Sequence, residues 1–170
     1  SLEARYGSKI VSIKDKNKDH GWHSLARKIT FENGEVYYGE GHEDDYRRGY
    51  HDNVFERPSC YECKFKGIPR ISDITLGDFW GIENVLPEFD DDKGCSVVLV
   101  NSEKGGKALD GLDIEMVEVD FSSAVSGNPA YTHSVRPHIN RGYFFSELKR
   151  YGSFSKSYGR LYDESLVGKI

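Results

Sequence analysis

Cys60 and Cys63 stand three apart in RPSCYECKFKGIPR, and that spacing defines the chemistry open to this chain. A two-residue spacer lets both sulfurs converge on one metal ion or one iron–sulfur cube without straining the backbone. Arg57, Lys64, Lys66 and Arg70 flank the pair and would offset the charge of an anionic cluster. Two cysteines supply only half of such a site, because a structural zinc or a 4Fe-4S cube needs about four ligands. For zinc, His42 or His51 could add a donor, yet the sequence has no second Cys-x-x-Cys and no closely spaced His pair. A thioredoxin-type dithiol belongs at a strand-to-helix junction, which Pro58 and the downstream Lys-Phe-Lys-Gly do not suggest. Two surface cysteines without a ligand are the plain alternative.

Further candidates follow downstream. Asp73 and Asp78 bracket Ile-Thr-Leu-Gly, where either carboxylate could accept from a ribityl or ribose hydroxyl. Gly77 and Gly81 would allow close backbone approach. A strand-end Asp can equally cap a turn. Cys95 opens an apolar run and reads as a small buried hydrophobe rather than a ligand. The pairs His20/His23 and His133/His138 lie in polar loops without metal-ligand spacing. The run at Glu88-Phe-Asp-Asp-Asp reads as a solvated acidic loop. Ser102-Glu-Lys-Gly-Gly-Lys could hold a phosphate at a helix start, but it matches neither a P-loop nor a dinucleotide fingerprint.

The elements that must position these residues are legible as a mixed α/β fold. KIVSIKD predicts a strand, and SLARKITF a second with Leu25, Ile29 and Phe31 on one face. Asn33-Gly34 favours a tight hairpin into EVYYGEG, giving an N-terminal antiparallel hairpin sheet. DDYRRGYH reads as a short helix. The cysteine stretch between Pro58 and Pro69 reads as an ordered loop, and ISDITLGDF as a strand. CSVVLV suggests a strand covered on both faces. Ser102 caps a helix over EKGGKALDGL, and DIEMVEVD reads as the next strand; together they predict a βαβ core. FSSAVSG and NRGYFFSELKRYG give C-terminal helices, the second with Tyr143, Phe144, Leu148 and Tyr151 as a packing stripe. The last eighteen residues show little pattern and are expected to fray.

The length of 170 residues fits a single domain, and a net charge of −5 argues against a nucleic-acid backbone binder. No apolar run is long enough for a membrane span, and no secretory signal is visible. An odd count of 3 cysteines fits a reducing cytoplasm better than a disulfide scaffold. The chain starts Ser-Leu-Glu rather than Met, so we expect residues 1–170 to be a fragment excised from a longer protein. The aromatics (Tyr 11, Phe 9, Trp 2) suit a flat-ring ligand but fill cores just as well.

Taken in order, RPSCYECKFKG, SDITLGDFWGIE and KGCSVVLVNSEKG resemble the C-terminal domain of the beta subunits of coenzyme F420 (deazaflavin) hydrogenases and related dehydrogenases. The resemblance runs from about Arg57 to Gly105, and NPAYTHSVRPHINRGYFF is similar to a downstream arginine and aromatic segment of that family. Residues before Tyr46 match only loosely. It implies an iron–sulfur flavoprotein oxidoreductase in which a 4Fe-4S cluster exchanges electrons with FAD or FMN, coenzyme F420 being a further cofactor. Cys60 and Cys63 then carry over as metal ligands, and Asp73, Gly77 and Asp78 as the cofactor-binding motif beside the redox site. The other thiolates would come from an N-terminal portion of the same protein. That portion, or a ferredoxin-like donor, is the expected electron partner. The alternative is a non-catalytic interaction module with a structural zinc half-site.

Overall fold

The computed structural model describes residues 1–163. In chain order it contains α1 (Leu2–Tyr6), β1 (Ile10–Asn17), β2 (Ala26–Phe31), β3 (Val36–Glu40), α2 (Asp45–His51) and α3 (Pro58–Tyr61). Then come β4 (Ile74–Asp78), α4 (Ile82–Val85), β5 (Ser96–Val100), α5 (Glu103–Leu109), α6 (Phe121–Val125), α7 (Arg141–Tyr151) and α8 (Phe154–Gly159). The mixed α/β class expected from the pattern is what is found. No helix among the described residues is long and apolar enough to cross a membrane. The chain divides into two compact units, Ser1–Tyr61 with the segment from Arg136 onward, and Glu62–Val135.

The first unit holds the predicted hairpin sheet. β2 pairs antiparallel with β1 on one side and β3 on the other, and the turn closes through Phe31 and Glu35. Leu25, Ile29 and Phe31 are buried, as their alternation requires. Tyr6 of α1 stacks on Phe31 at 4.3 Å between ring centroids, which seats the N-terminal helix on the sheet. A separate cluster of Val54, Phe144, Tyr158 and Leu161 packs α7 and α8 together, with Phe154 wedged against Phe55 and Phe144. The expected stripe on α7 is partly core: Phe144, Tyr143 and Leu148 pack inward, whereas Tyr151 takes Lys156 over its ring at 3.9 Å. Asn140 occupies the cap position of α7, but its side chain makes no capping bond.

Of the last eighteen residues, 153–163 are described, and 154–162 are helical rather than frayed. Ser153 caps α8, and Phe154 and Tyr158 enter the core. Their spacing of four is a helical signal that the surrounding Ser and Gly obscured. The remainder of that stretch, 164–170, lies outside the described residues.

Asp44 joins sheet and helix in this unit. It is 1% exposed, and one carboxylate oxygen accepts from Arg27 Nε at 2.9 Å and Nη2 at 2.5 Å on β2, and from Tyr37 on β3 at 3.2 Å. The other oxygen caps α2 through the Arg47 amide at 3.0 Å. A Cβ at Gly39 would overlap this side chain, so β3 needs glycine there. Burial, with Asp44 beside it, pushes the Tyr37 hydroxyl up to about 12.

In the second unit β4 and β5 form a two-stranded antiparallel sheet, from Ile74 opposite Val100 to Asp78 opposite Ser96. The predicted βαβ core is therefore absent. DIEMVEVD forms no strand, and all of it except Val119 is exposed. The sequence pattern is strand-like, but the segment carries four carboxylates and pairs with neither edge of β4–β5, which leaves it solvated. Nor is β5 covered on both faces: Val97 alone is buried and Val100 is 50% exposed. Ser102 does cap α5, accepting from the Gly105 amide at 3.1 Å.

Replacing Asp44 by Ala should destabilise the protein by about 3 kcal/mol, because it leaves the Arg27 guanidinium without its carboxylate and removes the α2 cap. Urea denaturation of the variant, with an unchanged m-value, is the check.

Candidate functional site

The cysteine stretch is not wholly non-periodic, as Pro58 to Tyr61 form the single turn α3. Proline is favoured at a first helical position because its missing N–H costs nothing there. Cys60 lies on that turn, free and exposed, at the end of the first unit. Its neighbour Tyr61 fixes the turn. The Tyr61 hydroxyl reaches the Asn53 carbonyl at 3.1 Å and the Glu56 carboxylate at 3.2 Å, and accepts from Arg141 Nε at 3.1 Å. Arg141 also donates to the Glu56 carbonyl at 3.0 Å and lies over the Tyr61 and Phe145 rings. Burial and the Glu56 charge raise the Tyr61 hydroxyl above its ordinary value, against the opposing pull of Arg141, so it stays a neutral donor.

Cys63 is free and half-buried near the start of the second unit. Its backbone N–H donates to Ser134 Oγ at 3.1 Å. The loop after it is held by Tyr131 and Arg70. The Tyr131 carbonyl accepts from the Gly67 amide at 3.2 Å and from Arg70 Nη2 at 2.7 Å, while Arg70 Nη1 donates to the Phe65 carbonyl at 2.6 Å. These partners were not foreseen from the sequence. Ser134 is 71 residues from Cys63, and no local pattern links them.

Asp73 has a structural task. Its carboxylate accepts from Ser102 Oγ at 2.6 Å and Lys104 Nζ at 2.8 Å, tying β4 to the start of α5. Lys104, then Ser102, hold it below the usual carboxylate range. Gly77 makes room for Tyr131, whose hydroxyl would collide with any Cβ at that position. That hydroxyl is buried without a hydrogen-bond partner, and burial raises it above its ordinary value. Asp78 ends β4, half-buried, and its carbonyl accepts from Asn128 Nδ2 at 2.6 Å. Cys95 is half-buried rather than buried and precedes β5, where its carbonyl accepts from the Phe79 amide at 2.8 Å. His42 and His51, the possible zinc donors, are exposed. An open cleft of about 630 Å³ lies between Asn84–Leu86 and Glu118–Asp120. Its two carboxylates make it a poor seat for a phosphate.

One family model matches the chain over residues 2–123, and it describes the C terminus of the coenzyme F420 hydrogenase/dehydrogenase beta subunit. The chain belongs to this family. No curated protein and no solved structure matches it. The family match is wider upstream than the motifs suggested, since it takes in the three-stranded sheet as well as the cysteine loop and β4–β5. It ends before NPAYTHSVRPHINRGYFF, so Tyr131, Ser134 and Arg141 lie beyond the matched residues.

Two predictions concern the β4 residues. Gly77→Ala should destabilise by about 1–3 kcal/mol through crowding of Tyr131, and Tyr131→Phe should be neutral or stabilising, because the lost hydroxyl is unpartnered. The double variant should recover part of the Gly77→Ala loss, read as a coupling energy in a denaturation cycle. For Asp73 the folded pKa is depressed, so its contribution is present above the ordinary carboxylate range and disappears as pH falls through the lowered value. Wild-type protein should therefore lose stability more steeply than Asp73→Asn on acidification below about pH 4.

Proposed function

We propose that this chain is the C-terminal domain of a cytoplasmic iron–sulfur flavoprotein oxidoreductase, in which Cys60 and Cys63 are two thiolate ligands of a 4Fe-4S cluster. The supporting observation is a pair of free thiols in a family of redox proteins, each on backbone held by distant side chains. The residues present fit half a cube. Cys60 and Cys63 offer two of the four thiolates required, and Cys95 is fixed at the β5 strand by its own backbone. We assign the remaining ligands to an N-terminal portion of the same protein. When bound, such a cluster supplies single-electron transfer, and FAD or FMN converts single electrons to the pairs exchanged with coenzyme F420.

The chain's own residues bind and orient. Tyr61 with Arg141, and Ser134 with Arg70, fix the backbone on which each sulfur stands, which limits the ordering needed when metal binds. The Asp78 segment is the proposed flavin contact, its carboxylate accepting from a ribityl hydroxyl. Asp73 and Gly77 support that segment through α5 and Tyr131. Electrons would arrive from the N-terminal portion or from a ferredoxin-like donor.

The test is iron, acid-labile sulfide and flavin analysis of the longer protein purified without oxygen. We expect about four irons per protein, lost in Cys60→Ser and in Cys63→Ser because a hydroxyl is a poor iron ligand. Cys95→Ser should keep its iron, and Asp78→Asn should keep iron but lose flavin. Residues 1–170 alone should not hold a stable cube. Wild-type iron in both cysteine variants would overturn the proposal, and stoichiometric zinc in place of iron would support an interaction module with a structural site.

A further inference from the structure

We propose that Arg70 is a positioning residue for Cys63, holding the loop in its metal-binding shape and supplying a compensating positive charge; this rests on Cys63 being a cluster ligand. The side chain spans the loop it belongs to. Nη1 donates to the Phe65 carbonyl at 2.6 Å, two residues after Cys63, and Nη2 to the Tyr131 carbonyl at 2.7 Å. The same Tyr131 carbonyl accepts from the Gly67 amide at 3.2 Å, so one oxygen closes the loop from both its middle and its end. The planar fork of a guanidinium suits this two-carbonyl grip, which an ammonium on a flexible stem cannot reproduce.

The charge is the second observation. Arg70 forms no ion pair with a carboxylate among the described residues, and its two engaged nitrogens meet neutral carbonyls. Its Nε is shielded from solvent and has no acceptor. The residue is half-buried and its guanidinium lies over the Tyr131 ring at 5.6 Å, so the charge is partly shielded from water with no anion facing it. Arg27, by comparison, meets a buried carboxylate. An anionic thiolate-ligated cluster at the same loop would offset the Arg70 charge, and the charge would in turn favour the more anionic, reduced state of that cluster.

The experiment compares the cluster-loaded longer protein with its R70M and R70K variants in three measurements. Amide exchange should show Gly67 protected in wild type and exposed in both variants, since neither has the fork. Iron loss to a chelator should be on the order of tenfold faster in both, the size typical of outer-shell partners. The cluster midpoint potential should become more negative in R70M and return toward wild type in R70K, which retains the cation. That partial rescue separates a charge effect from a purely structural one. R70M with wild-type Gly67 exchange, iron retention and potential would overturn the proposal. Altered exchange with wild-type iron retention and potential would overturn the metal role and leave only a folding clamp. Wild-type protein that holds no iron while Gly67 stays protected would overturn the cysteine assignment itself, a result distinct from failure at Arg70.

Discussion

A cysteine loop has no ladder of backbone hydrogen bonds to fix its shape, so its geometry must be imposed by side chains from elsewhere in the chain. In this protein that work falls largely to arginine. Arg141 grips the turn that carries Cys60 through Tyr61 and the Glu56 carbonyl. Arg70 grips the loop that follows Cys63 through the Phe65 and Tyr131 carbonyls. Arg27 does the equivalent for the sheet, on Asp44. With sheets of only three and two strands among the described residues, regular pairing reaches neither Cys60 nor Cys63. A rigid fork of donors can satisfy two acceptors from one side chain, and this substitutes for the missing ladder.

The local signals were legible and the distant ones were not. The Asn33-Gly34 hairpin, the Ser102 cap and the apolar face of β2 each depend on neighbours within a few residues, and each stands where the sequence puts it. The βαβ core failed because β-propensity at DIEMVEVD says nothing about whether the segment docks on a sheet edge rather than staying in water. α8 was missed because serine and glycine dilute its helical signal, yet Phe154 and Tyr158 bury well against α7. At the site, the cysteine pair and the Gly-Asp-Phe-Trp-Gly segment were evident by residue type. Their supports at Tyr131, Ser134 and Arg141 were invisible, being separated from them by more of the chain than any periodicity spans.

The β4 residues show why a motif does not itself assign a role. Asp73 and Gly77 have structural explanations sufficient to account for their identity: one anchors the α5 cap, the other clears space for a tyrosine hydroxyl. Both explanations are compatible with a neighbouring cofactor, because a segment fixed on both sides can present its next residue, Asp78, with little conformational loss. The Tyr131 hydroxyl is, with Arg70 Nε, a buried polar group without a partner in this unit, and a buried orphan donor carries a cost of about 1–3 kcal/mol. It sits on the residue whose carbonyl closes the cysteine loop, which ties the packing of β4 to the shape of the proposed metal site.

The central claim is that the sulfurs at positions 60 and 63 bond iron. Selenocysteine placed at either position in the longer protein turns that claim into a direct spectroscopic question, because selenium X-ray absorption reports the atoms bonded to that one side chain. The account predicts an iron neighbour at bonding distance from selenium at both positions. Selenium that shows only carbon neighbours, in a protein otherwise loaded with iron, would contradict it.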